Sequence, residues 1–92
     1  MELSNSEQQK FYDLVSQYPT IAVLWDWENR TLRTSAYNKA LKVMSKHEAT
    51  LARFFAGLWS DNGEGVDIFA VAQLGAKERK MIVTWLAAPF WP

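Results

Sequence analysis

Apolar and polar positions along the chain alternate with helical spacing over most of its length. Ser4 and Glu7 stand three apart, as in a capping box, and Phe11, Leu14, Val15 and Tyr18 follow at i, i+3 and i+4 intervals. That pattern predicts a helix over 6–17 or 18, ended by Pro19, because the residue before a proline is pushed out of the α region. Residues 20–27 read differently. Ile21, Val23, Trp25 and Trp27 alternate with Ala22, Leu24 and Asp26, and the run is rich in β-branched and aromatic side chains. With a turn at 28–30 and a return through 31–34, this is a candidate β-hairpin, with a short helix as the alternative.

Helical spacing resumes after Ser35, a candidate cap for a helix over 36–44 with Tyr37, Ala40, Leu41 and Met44 on its apolar face. Ser45 and Glu48 form a second capping box ahead of Leu51, Phe54, Phe55 and Leu58, whose i, i+3, i+4, i+7 spacing makes a thick apolar stripe. Residues 60–65 have the composition of a loop. Asp67 is placed to cap a short helix reaching Leu74, and Gly75 suits a left-handed residue that ends it. A last helix over 76–88 carries Met81, Ile82, Trp85 and Leu86 and stops before Pro89. The fold class predicted is mainly α: a single small domain over 1–92 of four to five short helices, with a possible β-hairpin at 20–34.

Composition sharpens that picture. The chain has 92 residues, enough for one small domain, and five of them are tryptophan, which suits a core with few positions to fill. It has no cysteine, which removes disulfides, thiol catalysis and thiolate metal sites. The first residues are polar, without the apolar stretch of a signal peptide, and no apolar run approaches membrane-spanning length. A cytoplasmic location, with no membrane partner, is therefore expected. The net charge is zero, which argues against non-specific nucleic-acid binding. The charge is unevenly spread, with five bases and no acid over 29–47, then three acids and no base over 60–67.

Candidate chemistry is sparse. His47 is the single histidine, and Glu48 beside it points about 100° away on a helix, so the two do not converge as an acid–base pair. Asp61, Glu64 and Asp67 surround two glycines without the stagger of a calcium loop, and neither a phosphate-binding loop nor a dinucleotide fingerprint occurs. Segment 68–87 has the punctuation of a helix-turn-helix, offering Lys77, Glu78 and Arg79, but Ile82 and Val83 fit poorly on a groove-facing helix. Lys39, Lys42 and Lys46, extended by Arg30 and Arg33, form the better electrostatic feature. Phe90 and Trp91, flanked by Pro89 and Pro92, fit a strap folded over the core or, with Trp25 and Trp27, an exposed aromatic anchor.

Residues 43–67 resemble a segment of small proteins carried on bacterial prophages and other mobile elements. The resemblance rests on Met44 and Ser45, Glu48, the group Ala52, Arg53, Phe54 and Phe55, then Trp59, and the acidic-apolar Val66, Asp67 and Ile68. His47 stands where that pattern has glycine. The resemblance implies a genomic setting and carries no activity.

The function expected is that of a non-catalytic interaction protein. It binds a protein partner, a host factor or itself, through an aromatic patch bordered by bases: Trp25, Trp27, Phe90 and Trp91 with Arg30, Arg33, Lys39, Lys42 and Lys46. No enzyme activity, metal or cofactor is expected. The alternative is a nucleic-acid-binding or regulatory protein that uses the same bases or the 68–87 segment.

Overall fold

The structure, a computed structural model, describes residues 6–60 and 65–92. Six helices and one two-stranded antiparallel hairpin are present among these residues, so the mainly α fold class holds. The chain packs as two compact units, one comprising the residues up to Val43 together with Pro92, the other Met44–Trp91.

The first unit begins with α1 (Ser6–Val15), which buries Phe11 and Val15. Ser4, and with it the first capping box, lies outside the described residues. The helix ends two to three residues before the sequence suggests. Gln17 and Tyr18 donate to Leu14 and Val15 through i→i+3 bonds of 3.3 and 2.9 Å, and the last turn tightens ahead of Pro19. Pro19 has a second role. It occupies the first turn of α2 (Pro19–Ala22), where its fixed φ and missing N–H fit a helix start.

That is why the first three residues of the expected hairpin, 20–22, are helical. The short-helix alternative holds for 19–22, and pairing is confined to β1 (Trp25–Asp26) and β2 (Thr31–Leu32), with Trp25 opposite Leu32 and Asp26 opposite Thr31. The Arg33 amide donates to the Leu24 carbonyl at 2.8 Å, one further backbone bond across the hairpin. The connecting residues 27–30 close with Arg30 at φ 55°, the left-handed conformation of a tight turn.

Helix α3 (Thr34–Val43) follows at once. The Arg33 carbonyl accepts from the Tyr37 amide at 2.9 Å, so the helix starts before Ser35, which sits inside the first turn and is not its cap. Tyr37 is buried, and Ala40 and Leu41 are half-buried beside it.

The second unit is organised by α4 (Lys46–Ser60). Here the serine cap appears as expected, the Glu48 amide donating to Ser45 Oγ at 3.1 Å. Arg53 is the sole exposed residue in the run 49–58. A helix covered on so many sides is a core helix. Its one buried polar side chain is satisfied locally, Thr50 Oγ1 donating to the Lys46 carbonyl at 2.9 Å.

Helix α5 (Ile68–Ala72) packs on α4 and is capped by Asp67, whose Oδ1 accepts from the Phe69 amide at 2.9 Å. It is shorter than expected, ending two residues before Leu74. Gly75 is not the left-handed terminator of that helix. Its φ of −61° and ψ of 161° are ordinary extended values, and it is the N-cap of α6 (Ala76–Ala87). The Glu78 carboxylate folds back over it, so that a Cβ at Gly75 would meet Oε1 at 2.6 Å. Among the described residues the left-handed glycine is Gly65, at φ 70°.

Replacing the Ser45 hydroxyl, Ser45→Ala, leaves an α4 amide without its acceptor. It should lower the unfolding free energy by about 1 kcal/mol in a denaturant titration, with the slope unchanged.

Candidate docking groove

In the first unit, α1 and the hairpin bring four rings together. Trp25 meets Phe11 edge-on at 5.3 Å and stacks on Trp27 at 6.0 Å and 18°, while Tyr12 meets Trp27 edge-on at 4.9 Å. Trp25 is 2% exposed. It is a core ring, which corrects its placement in an exposed aromatic anchor; Trp27, half-buried, presents part of its surface. The two rings reach these positions because β1 is only two residues long, and its successor Trp27 bends into the connecting loop.

Arg30, Arg33, Lys39 and Lys42 are all exposed, and Lys39 and Lys42 lie three apart on α3. Lys46 does not continue that row. The chain leaves helical conformation at Met44 and Ser45, and Lys46 opens α4 in the other unit. The three lysines therefore do not share one helical sector. Arg33 also has a structural contact, its Nε donating to the Trp25 carbonyl at 3.4 Å.

Within the hairpin, Asp26 binds both nitrogens of Asn29: Oδ2 accepts from Nδ2 at 2.8 Å and Oδ1 from the backbone amide at 3.2 Å. These two bonds, the side-chain one foremost, hold the Asp26 carboxyl below its ordinary pKa. Partial desolvation opposes them, and the Arg33 charge adds to them.

The second unit carries a half-open groove of about 200 Å³. Its floor is α4, through Phe54, Gly57 and Leu58. Gly57 has no side chain to fill the space between its neighbours, and an interior helix glycine costs about 1 kcal/mol relative to alanine. One wall is Val66 with Ile68 and Val71 of α5; the other is Ile82, Trp85 and Leu86 of α6.

Trp91 completes the groove. The segment after α6 turns back because Trp85 Nε1 donates to the Phe90 carbonyl at 2.9 Å, and the Trp91 ring meets Trp85 edge-on at 5.2 Å. Trp85 in turn meets Phe54 edge-on at 5.7 Å. Phe90 and Trp91 thus behave as the strap the sequence suggested. Phe90 is half-buried, while Trp91 stays 53% exposed at the groove's edge. Every side chain lining the groove is apolar or aromatic.

Other candidates find less support. His47 is exposed in the first turn of α4, and among the described residues no three metal-ligating side chains stand together. Asp61 and Glu64 lie outside the described residues. Helices α5 and α6 with the turn at 73–75 reproduce helix-turn-helix punctuation, but α5 has five residues and α6 shows Val83 and Leu86 to solvent. No helix among the described residues is long and apolar enough to cross a membrane.

The groove was not legible as a site in the sequence. One available signal was the apolar excess of α6, where Val83 joins Met81, Ile82, Trp85 and Leu86 in a stripe too wide for one buried face. Another was the pair Ile68 and Phe69 at the start of α5, exposed in the fold. Comparison with protein-family models, with curated proteins and with solved structures finds no match to this chain.

The Asp26 shift has a definite sign. A carboxyl whose folded pKa is depressed stabilises the fold above its unfolded value, and that contribution is lost as pH falls through the folded pKa. A carbon-detected NMR titration should place the Asp26 midpoint below that of an ordinary aspartate, and Asn29→Ala should move it back up.

Proposed function

We propose that this protein is a non-catalytic protein-binding module and that its binding surface is the apolar groove of the second unit. The supporting observation is the combination of a groove lined without charge and a rim of apolar side chains left in water. Ile68, Leu86 and Trp91, which line the groove, are each more than half exposed. Contiguous apolar surface rimmed by polar residues marks interaction sites on folded proteins. A ring such as Trp91, held by its packing on Trp85, offers large contact area at little conformational cost.

This reading keeps the aromatic character expected from the sequence and moves its centre. Trp91 stays, Trp25 leaves, and the bases of the first unit become peripheral. The resemblance over 43–67 to prophage proteins supplies a setting in which such a module would meet host proteins. The exposed Arg30, Lys39 and Lys42 support nucleic-acid binding as a second reading, for which affinity falls steeply with salt.

Amphipathic helical peptides selected from a displayed library against the immobilised chain should bind the groove. Leu86→Glu should weaken them at least about tenfold, equivalent to about 1.4 kcal/mol. A paired Lys39→Glu and Lys42→Glu variant should leave them unchanged. Binders indifferent to Leu86→Glu but lost with the lysines would move the site to the first unit.

A further inference from the structure

We infer that α3 is the reading helix of a duplex-DNA site on the first unit, an inference that rests on the second reading above and owes nothing to the groove. Of the ten residues of α3, only Tyr37 is buried, with Ala40 and Leu41 half-buried at its sides. The helix therefore meets its own unit along one narrow seam and shows the rest of its surface to water. At 3.6 residues per turn, the side turned away from Tyr37 carries Ser35, Asn38, Lys39 and Lys42, all exposed. No acid occurs anywhere from Asn29 to His47. The first unit's acids all precede Asn29 and its bases, Lys10 apart, all follow it, so a neutral total conceals a cationic segment.

The composition of that side selects the partner. Protein interfaces are depleted in lysine, serine and alanine and draw on aromatic side chains, whereas α3 exposes Lys39, Lys42, Ser35 and Ala36 and no ring. Single-stranded nucleic acid is held by stacking on exposed rings, which α3 lacks, and the major groove of duplex RNA is too narrow to be read. B-form DNA fits. Its major groove, about 12 Å wide, admits a helix about 10–12 Å across. Serine, asparagine and lysine are side chains that bond base edges and phosphates. Asn38, in the first half of the helix, is placed to bond N6 and N7 of an adenine together, while Lys39 and Lys42 neutralise phosphates.

The hairpin adds Arg30. It is exposed and holds a left-handed φ of 55°, where glycine would sit without steric cost. Strain of that kind collects at functional positions, and here it sets a guanidinium in the loop that leads through β2 into α3.

Fluorescence anisotropy of the full chain, with duplexes enriched from a random pool, tests the inference. Binding at low salt should weaken with a log–log salt slope of about −3, for three phosphate contacts by Arg30, Lys39 and Lys42. Asn38→Ala should cut the preference for the enriched over a scrambled duplex about tenfold and leave the slope alone. Lys42→Gln should weaken both duplexes alike and flatten the slope by about one. Arg30→Gly should weaken both without lowering the melting temperature. All three change exposed positions, so the helical circular dichroism should be kept. Lys77→Gln on α6 and Leu86→Glu in the groove should change nothing. No anisotropy change at low salt overturns the inference together with the second reading and leaves the groove as it stands. Binding that needs Lys39 and Lys42 but ignores sequence and Asn38 removes the reading helix and keeps the second reading. An oligoglutamate peptide that displaces the duplex at lower concentration than competing DNA also overturns the inference, and assigns the face to an acidic protein.

Discussion

A chain of 92 residues has too little interior for its surface, and the way this one meets that constraint shapes both of its units. Each is centred on large rings. Phe11, Trp25 and Trp27 lock α1 to the hairpin, and Phe54, Trp85 and Trp91 tie α4 to α6 and the segment beyond it. A ring brings more apolar area per residue than any aliphatic side chain and adds edge-to-face attraction. Both matter where no disulfide is present to restrict the unfolded chain.

The groove follows from the same shortage. Helix α4 is so thoroughly buried that the second unit spends its apolar residues covering it. Helix α5, five residues long, is too short to cover a fifteen-residue helix alone. Helix α6 comes to rest with Ile82 buried and Met81 and Trp85 half-buried, while Val83 and Leu86 remain outside. With Gly57 providing no side chain beneath, a depression remains where the layers do not meet.

What the sequence revealed was local. The Ser45 cap, the stripe of α4, the Asp67 cap and the end of α6 before Pro89 each depend on residues within a turn of one another, and each appears as read. The errors lie where one residue serves two elements or where a distant partner decides. Pro19 ends one helix and begins another, so residues 20–22 of the expected strand became part of α2. Arg33 supplies a hairpin amide and the first acceptor of α3, which moves that helix's start ahead of Ser35. Gly75, compatible with either end of a helix, caps the one that follows. Burial is harder still. Nothing local distinguishes Trp25, sealed between rings, from Trp27 two residues later. The groove depends on three helices meeting imperfectly, which no single stretch of sequence encodes.

Trp91 shows how closely folding and the proposed binding are joined. Its ring rests on Trp85, whose N–H is held by the Phe90 carbonyl, and Trp85 rests on Phe54 of the central helix. The same ring forms an edge of the groove and leaves half its surface in water. A partner that covers it therefore stabilises the strap, and through the strap the seating of α6 on α4. By linkage, a ligand that favours the folded form raises the stability of the unit it binds.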